Sequence, residues 1–188
     1  MLLAAAGLGS ALFTVMVDFA GYGQRVSVGL IFGVALAAYF VWYERYRNSA
    51  RMAVFVAACT VAFDASMYAV FPLMILFPIN HSMSSARLDI PMSVFFGAGY
   101  VGAFIVLASG VFLFSARKPA SKSLGIVALW SLGGGFLAVI GAAADGIRTH
   151  GVYNSFLLLT LVWQPGAATL LGLLLEQERA EVCDDTLG

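Results

Sequence analysis

The chain has 188 residues, enough for one domain, and its 10 Lys+Arg balance 10 Asp+Glu to give no net charge. Hydrophobic residues make up 61% and charged residues 11%. Soluble domains carry about 25% charged residues, so the composition excludes an ordinary soluble domain and predicts a multi-pass integral membrane protein whose first partner is the lipid bilayer. There is no basic patch with interleaved aromatics to engage nucleic acid.

A bilayer core takes about 20 apolar residues per helix. Six runs come close to that length: residues 2–22, 26–43, 52–77, 93–115, 124–144 and 153–175. The first lacks the basic segment of a signal peptide and ends around Asp18, so it is read as a retained helix. Its TVMVDFAGY segment spaces Thr14, Asp18 and Tyr22 four apart, on one helix face. The second run carries a ridge of small residues, Gly29, Gly33 and Ala37, and leads into Trp42, Tyr43 and Tyr46, an expected interfacial aromatic belt.

The third run repeats the buried-acid pattern. In TVAFDASMY, Thr60, Asp64 and Tyr68 again stand four apart, at an offset of 46 residues from the first trio. Pro72 and Pro78 in MYAVFPLMILFPINH predict a kink or an end near Tyr68 to Phe71. The fourth run has small residues at Ala98 and Gly102. The fifth is interrupted by Gly133-Gly134-Gly135 and closes on Asp145. The sixth contains LVWQPG, in which Gln164 is a lone polar group expected to bond to another helix and Pro165-Gly166 a break; Ala168 and Gly172 follow as a third small ridge. From Glu176 the chain turns acidic and polar, a loosely held tail. The domain organisation is thus 1–175 for the six-helix unit and 176–188 for the tail.

Orientation follows from the basic residues. ERYRNSAR holds Arg45, Arg47 and Arg51; ARKPASKS holds Arg117, Lys118 and Lys122; with Arg179 these lie on one side of the membrane. Arg25, Arg87 and Arg148 lie on the other. The positive-inside rule then places both termini in the cytoplasm. The expected fold is all-α: a compact bundle of six transmembrane helices with short connections and antiparallel neighbours.

Helices 1 and 3 run in the same direction, so the two acidic trios are expected at similar depth. A weaker likeness relates the halves: AGLGSALF (6–13) to AGYVGAFI (98–105), and FGVAL to LGIVA near Gly33 and Gly125. Such halves occur in transporters.

A carboxylate inside a membrane helix is a functional-site hypothesis by default. Asp18 and Asp64 lead as ion- or proton-binding candidates, with Thr14, Thr60, Tyr22 and Tyr68 as hydroxyl donors one turn below and above. If helices 1 and 3 touch, both acids share one proton or cation. An outer polar cluster of His81, Asp145 and His150 is a second candidate, in loops that also hold Asn80, Arg87, Asp89, Arg148 and Asn154. Its spacing fits no metal site. Cys59 lies in an apolar run and Cys183 in the tail, with no Cys-x-x-Cys or Cys/His pattern, so Cys59 reads as a small packing residue. The histidines fall outside the spans, which argues against axial ligands for an intramembrane haem. No His-Glu-x-x-His, Gly-x-Ser-x-Gly or phosphate loop occurs, so no catalytic residue and no cofactor is assigned.

Three functions fit these residues. The first is a small transporter or ion- or proton-conducting protein using Asp18 and Asp64. The second is a non-catalytic subunit or interaction protein of a larger membrane complex, with other subunits or further copies of itself as partners. The third is a membrane-embedded enzyme or lipid-binding protein using the outer cluster.

Overall fold

Six α-helices follow one another: α1 (Leu2–Phe19), α2 (Val28–Trp42), α3 (Ser49–Leu76), α4 (Met92–Phe114), α5 (Ser121–Arg148) and α6 (Leu157–Leu187). The computed structural model describes residues 2–19, 28–44, 46, 48–76, 92–114, 121–148 and 157–187. Side chains are placed for all of these except 17–19, 67, 70, 71, 74, 76, 121–123, 144–148, 157–159 and 178–187. Three segments are long and apolar enough to cross a membrane: Ser49–Ser66, Met92–Phe114 and Leu124–Ala143. Leu2–Met16 and Val28–Trp42 are shorter apolar helices. The outer surface carries Phe13, Met16, Ile75, Leu129 and Phe136, all exposed. Water disfavours such a surface and lipid accepts it; together with the three long apolar helices it marks a membrane protein.

The helices form a ring. α1 packs between α6 and α2, α3 between α2 and α4, and α5 between α4 and α6; α4 and α6 also meet across the middle. Successive helices are antiparallel. As α1 runs from Leu3 to Gly7 and Ser10, it meets Gly172, then Ala168, then Gln164 on α6. Phe32, Leu36, Phe55, Leu107 and Leu171 fill the interior, each almost wholly buried.

Small residues decide how closely the helices approach, because lipid offers no hydrophobic drive for association and packing must supply it. All three expected ridges lie at helix contacts. A Cβ on Gly33 would stand 3.0 Å from the Cα of Val56, and Gly29 lies against Cys59 and Thr60 of α3. Cys59 is buried there as a small packing residue. Gly102 faces Ser66 and Trp163, and Ala168 faces Gly7.

None of the three helices ends at its expected break. α5 continues through Gly133-Gly134-Gly135, α3 through Pro72 and α6 through Pro165. The glycines pack instead: Gly134 against Gly99 and Ala103, Gly135 against Phe96, Gly133 against Leu170. Their helix cost of about 1 kcal/mol each is offset by the close approach of α4 and α5. Proline removes a single backbone bond, which a packed membrane helix tolerates. α6 runs past its expected end at residue 175, helically through EQERAEVCDD to Leu187, a stretch rich in the helix formers Glu, Gln, Arg and Ala.

At the end of the bundle holding the α2–α3 connection, Asn48 caps α3. Its side-chain oxygen accepts the backbone N–H of Arg51 at 3.1 Å. Phe114 stacks on Phe40 at 4.1 Å and meets Phe55 and Tyr46 edge-on. Trp42 and Tyr43 are exposed, as a belt requires, but Tyr46 turns inward.

Candidate functional site

Of the first acidic trio the structure places Thr14 and the backbone of Asp18, and of the second it places all three side chains. α2 lies between α1 and α3, each of which packs against it.

Asp64 is exposed on the outer face of α3, not turned into the bundle. Tyr68, one turn on, is 72% exposed. Ser66 meets Gly102, and Gly99 and Ala103 meet Gly134; these glycines stand at the middle of the apolar runs Met92–Phe114 and Leu124–Ala143. Asp64 is thus level with the middle of Met92–Phe114 and Leu124–Ala143, and lies two residues before the end of the apolar stretch Ser49–Ser66 of its own helix.

The threonines serve their own helices. Thr14 donates to the carbonyl of Ser10 at 2.9 Å and Thr60 to that of Val56 at 3.0 Å. Each hydroxyl satisfies a carbonyl one turn below, away from its acid, as Ser and Thr in membrane helices commonly do. The side chains of Asp18 and Asp145 lie outside the described residues, as do Tyr22, His81 and His150 entirely. Among the described residues no three His, Cys, Asp or Glu side chains converge.

The polar interior is built from other residues. Ser10 donates to Gln164 Oε1 at 2.7 Å across the α1–α6 contact and shares its proton with the carbonyl of Gly7 at 2.8 Å. Gln164 is 2% exposed, and the interhelical bond expected of it is present. Ser131 is buried and bonds the carbonyl of Val127 at 2.7 Å, and Ser66 bonds that of Ala62. Trp163 lies near Phe32, with ring centres 6.0 Å apart. Among the described residues its indole Nε1 is the buried polar atom left without a partner. Serine in an apolar run gives no sequence signal that separates a buried hydroxyl from an exposed one, so the sequence does not single out Ser10.

No family model, curated protein or solved structure matches this chain. Function must be read from its own surfaces.

Those surfaces include an open groove between α1 and α2. One part, of about 450 Å³, is lined by Ala5, Ala6, Ala35, Ala38 and Trp42. The next, of about 430 Å³, is lined by Gly9, Ser10, Phe13 and Val34. A smaller cavity of about 90 Å³ between α1, α2 and α6 has Glu44, Glu176 and Thr169 on its walls. The outward stripe of α3 is of another kind. Ala53, Ala57, Val61, Asp64, Tyr68 and Pro72 are exposed along one face, apolar at the lower half and charged at the middle.

Proposed function

We propose that the chain is a six-span integral membrane protein, both termini cytoplasmic, that serves as a non-catalytic subunit or interaction protein of a larger membrane complex. One observation carries this reading: Asp64 projects from the outer face of α3 level with the middle of Met92–Phe114 and Leu124–Ala143. An aspartate at the middle of a membrane helix costs about 2.5–3.5 kcal/mol on insertion scales, and such residues almost always face protein or water. A face that bears one is supported as a protein contact. Ser10 bonds Gln164 across two helices, which fits structural glue, while Thr14, Ser66 and Ser131 satisfy carbonyls of their own helices.

The ion- or proton-conducting reading draws less support, because Asp64 and the hydroxyls of Thr14 and Thr60 point to separate places. Two measurements test the proposal together. Extracted from its membrane in mild detergent, the protein should run on a native gel well above the mass of the single chain. Reconstituted alone, it should carry no proton or cation flux under an imposed gradient. A lone chain that conducts, with conduction lost in Asp64→Asn, would overturn the subunit reading in favour of transport.

A further inference from the structure

We infer that the outer face of α3 docks a transmembrane helix of another protein that carries a lysine or arginine at mid-bilayer depth, paired with Asp64. The inference rests on the subunit reading and names the chemistry of the partner.

The face is rich in acceptors at one height. Asp64 supplies a carboxylate, and among the described residues it has no hydrogen-bond or ion-pair partner. Tyr68 adds a hydroxyl one turn above, largely exposed. Pro72, on the same stripe, has no N–H, so the carbonyl of Tyr68 loses the helical donor that residue 72 would supply. Three oxygen-bearing groups thus stand within about two turns on one side of a membrane helix. Hydrocarbon satisfies none of them. A cationic side chain satisfies the carboxylate by charge and carries further N–H groups for the remaining acceptors. Below this patch the stripe narrows to Ala53 and Ala57, one turn apart and both exposed, which lets a partner backbone come close.

A second copy of this chain does not fit. Within the helices no Lys or Arg lies between Met52 and Leu76, nor anywhere in residues 2–19, 28–42, 92–114, 123–147 and 157–178. A like copy would bring a second Asp64 against the first, where the two carboxyls could share one proton but neither would gain a cation. Lipid headgroups lie about 15 Å from the bilayer centre, beyond the reach of an aspartate side chain. The complementary group must therefore come from a foreign helix.

The test uses full-length protein in phosphatidylcholine vesicles with a donor dye on Cys183; Cys59 is buried. The probes are acceptor-labelled Leu/Ala transmembrane peptides of about 24 residues, bearing a single Lys at the centre, a single Lys near one end, or Leu throughout. The wild-type chain should capture the centre-Lys peptide about tenfold more tightly than the all-Leu peptide. The end-Lys peptide should bind no better than all-Leu. Asp64→Asn, which keeps size and sits on the surface, should fold normally by circular dichroism and lose the preference. Tyr68→Phe should lose part of it. Equal capture of the centre-Lys and all-Leu peptides by wild type, or an undiminished preference in Asp64→Asn, would overturn the inference.

A photo-crosslinking residue at Val61 in the native membrane separates this failure from failure of the subunit reading. Crosslinks to protein that persist in Asp64→Asn would sink the basic partner yet keep the complex. Crosslinks to lipid alone would remove both.

Discussion

Ser10 on α1 and Gln164 on α6 stand 154 residues apart in sequence and 2.7 Å apart in the bundle. Beneath them Gly7 lets α1 come so close that a Cβ there would meet Ala168 and the Cα of Pro165 at 2.8 Å. Close packing and the polar bond reinforce each other, since the bond forms only because the backbones are near. Ser10→Ala should destabilise the protein by about 1–2 kcal/mol, because Gln164 Oε1 is left buried without its donor. Adding Gln164→Leu should recover most of that loss, since removing both partners removes the unpaired group. Unfolding titrations in detergent on the two single variants and the double variant measure the coupling. Additive losses would show that the two residues act separately.

The glycines of α5 should behave oppositely by position. A Cβ at Gly134 would overlap Ala103 and lie 3.1 Å from the carbonyl of Gly99, whereas at Gly125 nothing stands within 4 Å. Gly134→Ala forces α4 and α5 apart and should cost about 1–3 kcal/mol. Gly125→Ala should leave stability unchanged or raise it by up to about 1 kcal/mol, through better helix propensity. Thermal unfolding of the pair distinguishes a packing role from a hinge role for the triple glycine. Equal effects at both sites would contradict the packing account.

Tyr46 ties the α2–α3 connection to the end of α4. Its hydroxyl donates to the carbonyl of Leu113 at 3.0 Å and accepts from Arg51 Nη1 at 2.6 Å; Arg51 also reaches Leu113 at 3.2 Å. That carbonyl belongs to the last turn of α4, which has no helical donor of its own, and a cation there also complements the helix dipole. Tyr46→Phe should cost about 1 kcal/mol, and Arg51→Ala a similar amount. Together they should cost less than the sum, since both serve one acceptor. Melting temperatures of the three variants decide it, and strict additivity would count against a shared acceptor.

Orientation can be read chemically. In a chain with Cys59→Ala and Cys183→Ser, a cysteine introduced at residue 120 should react with a membrane-impermeant maleimide only after the cells are opened, because the positive-inside rule assigns the loop with Arg117, Lys118 and Lys122 to the cytoplasm. Reaction from outside intact cells would invert the topology.

The existence and order of the six helices were legible in the sequence, with ends within a few residues except where α6 runs on through the tail. Apolar run length alone determines them, since backbone groups in lipid must be satisfied within the segment. The small ridges at Gly29, Gly33, Ala98, Gly102, Ala168 and Gly172 were legible too, because close approach needs a missing side chain. Which way Asp64 faces was not. Spacing of four assigns Thr60, Asp64 and Tyr68 to a face of α3, but α3 is apolar all round, so no amphipathic contrast says which face is inward. Only packing decided that, by turning Phe55, Cys59 and Ala62 to the core and leaving Val61, Asp64 and Tyr68 outside.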